Sequence, residues 1–70
     1  MRPAGSEPVI AKAMLSKIRR SFVKAQRPID EKAIAAYASE LITAGVNIME
    51  QRSSRIAKVL KGELDAKELR

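Results

Sequence analysis

The 70-residue chain contains no cysteine, no histidine and no tryptophan. Without thiols or imidazoles it cannot form a disulfide, a zinc site of the usual Cys/His type, or a Cys–His or Ser-His-Asp catalytic centre. It also lacks a glycine-rich phosphate loop. We therefore predict that the protein is not an enzyme and that it uses no metal and no cofactor.

Aromatic residues are scarce, since Phe22 and Tyr37 are the only two. Proteins that bind single-stranded nucleic acid stack bases on aromatic side chains, and β-sandwiches also normally contain more of them. Long apolar runs are missing as well, because the stretch Val9–Leu15 is interrupted by Lys12 and a membrane span needs about 20 apolar residues. With no readable signal peptide, membrane span or cysteine, the chain is expected in the cytoplasm.

Positive charge is what the chain has in excess: 14 lysines and arginines oppose 8 aspartates and glutamates, which gives a net charge of +6. Such a balance favours an acidic partner, either nucleic acid or an acidic protein surface. The core of so small a domain supplies only about 3–5 kcal/mol. Because disulfides and Cys/His metal sites are excluded, a second copy of the chain is the remaining source of buried area, and a homodimer is expected.

Capping and turn signals divide the chain into helices. Ser6, Asp30 and Asn47 are each placed to accept hydrogen bonds from the first backbone N–H groups of a helix. Gly45 and Gly62 are placed to end one. The predicted organisation is a flexible basic arm at 1–5, a three-helix domain at 6–61 with helices at about 7–25, 30–44 and 48–61, and a charged tail or short fourth helix at 62–70.

Apolar residues recur at helical spacing within these segments, and no segment has the alternation of a strand. The predicted fold class is all-α, a compact antiparallel three-helix domain that a short C-terminal helix would extend. The predicted core consists of Ile10, Met14, Ile18, Phe22, Ile34, Tyr37, Leu41, Ile48, Ile56, Val59 and Leu60.

The excess charge is concentrated in the first and third predicted helices. Residues 7–25 carry a net charge of +4 and residues 48–61 carry +3, whereas residues 30–44 carry −2. The polar side of the third helix carries side-chain types that hydrogen-bond to phosphates and base edges. This third-helix strip consists of Gln51, Ser54, Arg55, Lys58 and Lys61. It is either a surface that contacts a duplex or an ordinary solvated face.

A second basic row lies on the first predicted helix, where positively charged side chains recur every three or four residues. This first-helix row consists of Lys17, Arg20, Lys24 and Arg27. The row is interpreted either as a set of phosphate contacts or as an outer face that keeps the protein soluble.

Arg52 breaks the pattern, because a continuous third helix places it among apolar residues. One interpretation is that its side chain extends to the edge of the core and pairs with Glu40. The other is that this apolar arc belongs to an interface with a partner or a second subunit, where arginine is enriched.

The stretch LSKIRRSFVKAQRPIDEKAIAAYASEL, from Leu15 to Leu41, resembles the first two helices of small phage helicase-loader domains. Those domains also place an aromatic residue before a loop and a tyrosine in the next helix, as Phe22 and Tyr37 are placed here. The later aromatic–proline step that such proteins often carry is missing from this chain. The resemblance implies an adaptor that binds a protein.

Two functional hypotheses follow. The leading one is a small, basic, non-enzymatic regulatory module that binds duplex DNA through its third helix, supported by the first. The alternative is a protein-interaction module, an adaptor, inhibitor or helicase-loader-like domain that binds an acidic protein surface or pairs with itself. DNA binding predicts an affinity that falls steeply with salt, whereas an adaptor binds one protein saturably and binds DNA little.

Overall fold

The computed structural model describes residues 10–70, which form three α-helices and two short 3-10 turns. The helices are α1 (Lys12–Lys24), α2 (Glu31–Thr43) and α3 (Ser53–Leu60). The first 3-10 turn (Ile48–Glu50) precedes α3 and the second (Ala66–Leu69) follows it. The described residues contain no strand, so the all-α prediction is confirmed. The arm predicted at 1–5 and the cap predicted at Ser6 lie outside the described residues.

Helix α1 is the centre of the fold, since it packs against α2, against α3 and against the first 3-10 turn. Its apolar side contributes Ile18 and Phe22, which are buried. The ring of Phe22 packs edge to face on Tyr37 of α2, with ring centroids 6.0 Å apart and an interplanar angle of 71°. Every residue predicted for the core is buried in it or packs against it. The prediction omitted Val46 and Leu69, which are also buried.

The starts of α1 and α2 differ in how well the sequence predicts them. Helix α1 begins at Lys12 and not near residue 7, because Ala11 is extended and no side chain caps the helix. Ile10 lies outside the helix and packs against the core. Helix α2 begins as predicted, with the carboxylate of Asp30 accepting a hydrogen bond from the backbone N–H of Lys32 at 3.1 Å.

The third helix predicted at 48–61 is interrupted, which corrects the prediction. Gln51 and Arg52 are extended, with ψ angles of 147° and 144°, so the first 3-10 turn and α3 are separate elements. A continuous helix would hold Arg52 between Ile48 and Ile56, where its charge would be costly to bury. The interruption lets both isoleucines be buried while Arg52 is exposed.

All three α-helices end with one residue in the left-handed conformation. The φ angle is 60° at Gln26, 87° at Gly45 and 78° at Gly62. After each of them, a backbone N–H donates to the carbonyl five residues earlier, as the N–H of Arg27 does to the oxygen of Phe22 at 2.9 Å. This pattern is the Schellman motif. Glycine adopts the left-handed conformation at no steric cost, whereas glutamine is strained in it.

Replacing Phe22 with alanine should lower the free energy of unfolding by about 3–5 kcal/mol, because the side chain is 4% exposed and its removal leaves a cavity beside Tyr37. Chemical denaturation measures the change. Val23→Ala is the matched control, since Val23 is the next residue on α1 and is 60% exposed. Equal losses in the two variants would contradict the packing of α1.

Replacing Gln26 with glycine should raise the free energy of unfolding by about 0.5–1 kcal/mol. The change removes the steric cost of the left-handed conformation, and the greater conformational entropy of glycine in the unfolded chain offsets part of that gain. The reverse change, Gly62→Ala, should lower it by about 1 kcal/mol. Nothing lies within 4 Å of an added Cβ at Gly62, so the added methyl group makes no clash in the folded state. Thermal denaturation of both variants tests the pair, and a loss of stability in the Gln26 variant would refute the strain.

Candidate functional site

Two long side chains attach the first-helix row to the elements beside it. The Nζ atom of Lys17 donates a hydrogen bond to the carbonyl of Met49 at 2.9 Å, in the first 3-10 turn. A terminal guanidinium nitrogen of Arg27 donates to the carbonyl of Leu60 at 2.9 Å, at the end of α3. The beginning of the row therefore lies beside the chain just before α3, and its end lies beside the last residue of α3.

Helices α1 and α3 consequently run in the same direction, as expected for the first and third helices of an antiparallel arrangement. Between Lys17 and Arg27, the row continues along α1 with Arg20 and Lys24, and both of these are exposed. Along α1 and α3 the buried residues Ser21 and Ala57 are small, which permits a close approach of helices. The row thus follows the length of α3.

The exposed side of α3 carries most of the third-helix strip. Ser54, Arg55 and Lys58 are exposed on the helix, and Lys61 is exposed just after its end. Neither α1 nor α3 contains an acidic residue. The hydrogen bonds of Lys17 and Arg27 place the row alongside α3, and we call the row together with these four exposed members of the strip the basic face. Its members are Lys17, Arg20, Lys24, Arg27, Ser54, Arg55, Lys58 and Lys61.

The second 3-10 turn lies against the strip and engages two of its side chains. The amide of Gln51 donates to the carbonyl of Leu69 at 2.8 Å and is half-buried, so Gln51 is a structural residue. The guanidinium of Arg55 donates to the carbonyl of Glu68 at 3.2 Å while remaining exposed. The sequence prediction placed both side chains on a free surface. The residue types of the strip do not indicate that residues 66–69 pack beside it.

The structure gives Arg52 a different setting from the one predicted. It is the residue before α3 and is exposed, so it does not project into an apolar arc. It forms no ion pair with Glu40, and the argument for a subunit interface at Arg52 therefore loses its basis. The interruption of the predicted helix at Gln51 is the cause, because it changes the direction in which the next side chain projects.

Two ion pairs occur within residues 10–70, and one of them involves a member of the basic face. Arg19 of α1 pairs with Glu31 of α2 at 2.7 Å, and its hydrogen bond and charge interaction with Glu31 raise the already high pKa of Arg19. Lys61 pairs with Glu63 at a longer 3.7 Å. Both pairs are well exposed, so their effect on stability is small. Sequence reasoning missed the Arg19 pair, although its side of α1 faces the start of α2.

Four exposed members of the basic face make no side-chain hydrogen bond or ion pair with another described residue. They are Arg20, Lys24, Ser54 and Lys58. Their donors are available to a partner, and three of them carry a positive charge. Chemically, this arrangement offers a row of donors and charges to a polyanion.

One polar group inside the fold has no partner. The hydroxyl of Tyr37 is buried and forms no hydrogen bond with a described residue. Burial raises the pKa of Tyr37 above its ordinary value, the charge of Glu40 raises it further, and the charge of Arg27 lowers it. The protonated hydroxyl is therefore favoured in the folded state.

Residues 10–70 contain no helix that is long and apolar enough to cross a membrane. The same residues contain no group of three or more acidic, histidine or cysteine side chains able to hold a metal ion, and no pocket opens among them. Comparisons with protein-family models, curated proteins and solved structures find no significant match. A function is therefore argued from the geometry and the charge of this chain.

Replacing Tyr37 with phenylalanine should leave the free energy of unfolding at neutral pH unchanged or higher, because the variant lacks a buried hydroxyl that has no partner. The sign at high pH follows from the raised pKa of the folded state. Above about pH 10 the unfolded chain loses the tyrosine proton before the folded one, so the stability of the parent falls relative to the variant.

Denaturation of the parent and the phenylalanine variant at increasing pH measures this difference. Because Tyr37 is the only tyrosine and tryptophan is absent, an ultraviolet absorbance titration also reports its pKa directly. A pKa at or below the usual value for tyrosine would contradict the burial of the hydroxyl.

Proposed function

We propose that this protein is a small, non-enzymatic regulatory module that binds duplex DNA through its basic face. The observation that carries the proposal is the pair of hydrogen bonds from Lys17 and Arg27. They align the first-helix row with α3, so that two sets of positive side chains share one surface.

The charge of the basic face is complementary to a duplex. DNA carries one negative charge for about every 1.7 Å of its axis, and neutralising phosphates releases condensed counterions. On α1 the distance from Lys17 to Lys24 is about 10 Å along the helix axis, so a duplex lying along the row presents several phosphates to it. The shortage of aromatic side chains supports a duplex over a single strand.

An acidic protein surface is the alternative partner, since it would contact the same residues. A homodimer has less support, because a copy docked through the basic face would meet the same positive charge. The large apolar residues exposed in the described chain, Val23, Ile29 and Met49, belong to α1, a loop and the first 3-10 turn. Such single exposures are ordinary on a monomer. Sedimentation that shows a dimer insensitive to salt would favour the homodimer instead.

Replacing Lys58 with alanine should weaken the binding of a duplex and lower the slope of log K against log salt by about 0.9, because one phosphate contact is lost. Lys24→Ala should have the same effect, because α1 and α3 contribute to one face. The double variant should lower the slope by about 1.8. Fluorescence anisotropy of a labelled duplex across a salt series measures these slopes.

Lys32→Ala is the matched control, because Lys32 is an exposed lysine on α2, outside the basic face. It removes the same charge and should leave the slope unchanged. Equal effects of Lys32→Ala and Lys58→Ala would mean diffuse charge attraction without a defined surface. If the parent binds no duplex at low salt, the proposed function is wrong, and the face is reassigned to an acidic protein.

A further inference from the structure

Three of the four planar side chains in the third-helix strip and the first-helix row donate hydrogen bonds inside the protein. Reading a base in the major groove takes a planar amide or guanidinium that bonds in a bidentate way. The amide of Gln51 and the guanidinium of Arg55 donate instead to the carbonyls of Leu69 and Glu68. They hold the second 3-10 turn beside α3, which limits their freedom to turn toward a base.

The same holds on the other side of the face, where the guanidinium of Arg27 is bound to the carbonyl of Leu60. Among the described residues, the members of the basic face without a partner are Arg20, Lys24, Ser54 and Lys58, so only one of them carries a planar guanidinium. A lysine ammonium is a compact point charge, and both it and a serine hydroxyl bind phosphate oxygens without reporting on sequence.

The width of the basic face also opposes insertion into a groove. Helix α3 has eight residues, so it is about 12 Å long, and it lies along α1. Packed helices have axes about 8–10 Å apart and are each about 10 Å wide, which makes the pair about 18–20 Å across. The major groove is only about 12 Å wide. When both helices contact the duplex, they therefore rest on the backbones beside the groove.

We infer that the basic face, where it binds duplex DNA as proposed above, recognises the phosphate backbone and tolerates any base sequence. The inference rests on the proposed function and narrows it. It assigns the contacts to charge and backbone shape, and it gives Gln51 and Arg55 a role in holding the fold.

Selection of duplexes from a random-sequence pool by the full chain tests this inference. No sequence should be enriched, and duplexes of one length with shuffled sequences should bind with affinities that agree within about twofold. A sequence-specific protein would separate them by a factor of about 1,000 or more. Enrichment of one motif that binds at least about tenfold more tightly than its shuffled form would overturn the inference and leave the proposed DNA binding intact.

Substitutions at Arg55 provide a second measurement, with circular dichroism confirming that each variant folds. Arg55→Lys keeps the charge and loses the planar fork, so its affinity should stay within about twofold of the parent. Arg55→Ala removes one positive charge from the basic face and should lower the salt slope, by at most about 0.9. If the lysine variant loses as much affinity as the alanine variant, the planar guanidinium of Arg55 forms bidentate hydrogen bonds with base edges, and the inference is wrong. Absence of binding to every duplex at low salt overturns the proposed function as well.

Discussion

The packing of α1 against both α2 and α3 is the constraint on which the rest of the structure depends. A chain with two aromatic residues and no disulfide can bury only a small core, and one helix packs against both of the others to form it. Ile18 and Phe22 lie at this junction and are buried. Since the inner side of α1 is occupied by this packing, its charged residues are confined to its outer side and its two edges.

The edges of α1 show that basic residues in this protein have two different uses. Arg19 bonds to the carboxylate of Glu31 on α2, while Lys17 and, just after the helix, Arg27 bond to carbonyls on the other side. Arg27 reaches the last carbonyl of α3, where the helix dipole favours a positive charge. These side chains hold the three helices in register. The excess of +6 therefore does not translate directly into contacts with a partner.

The segment after α3 connects the fold to the surface that is proposed to bind. Asp65 caps the second 3-10 turn by accepting from the backbone N–H of Lys67 at 3.0 Å, and Leu69 enters the core. Once Leu69 is buried, its carbonyl and that of Glu68 lie within reach of Gln51 and Arg55. A contact that completes the core thus also decides which polar groups of the strip remain available.

Local signals in the sequence determined the all-α class, the cap at Asp30 and the glycines that end α2 and α3, because each depends on residues close together in the chain. Periodicity likewise identified the predicted core and the two basic groups. Tertiary structure decided the interruption at Gln51 and Arg52, since only the packed core makes it unfavourable to hold an arginine between Ile48 and Ile56. It also decided the alignment of the first-helix row with α3, because the carbonyls that bind Lys17 and Arg27 lie more than thirty residues away in sequence.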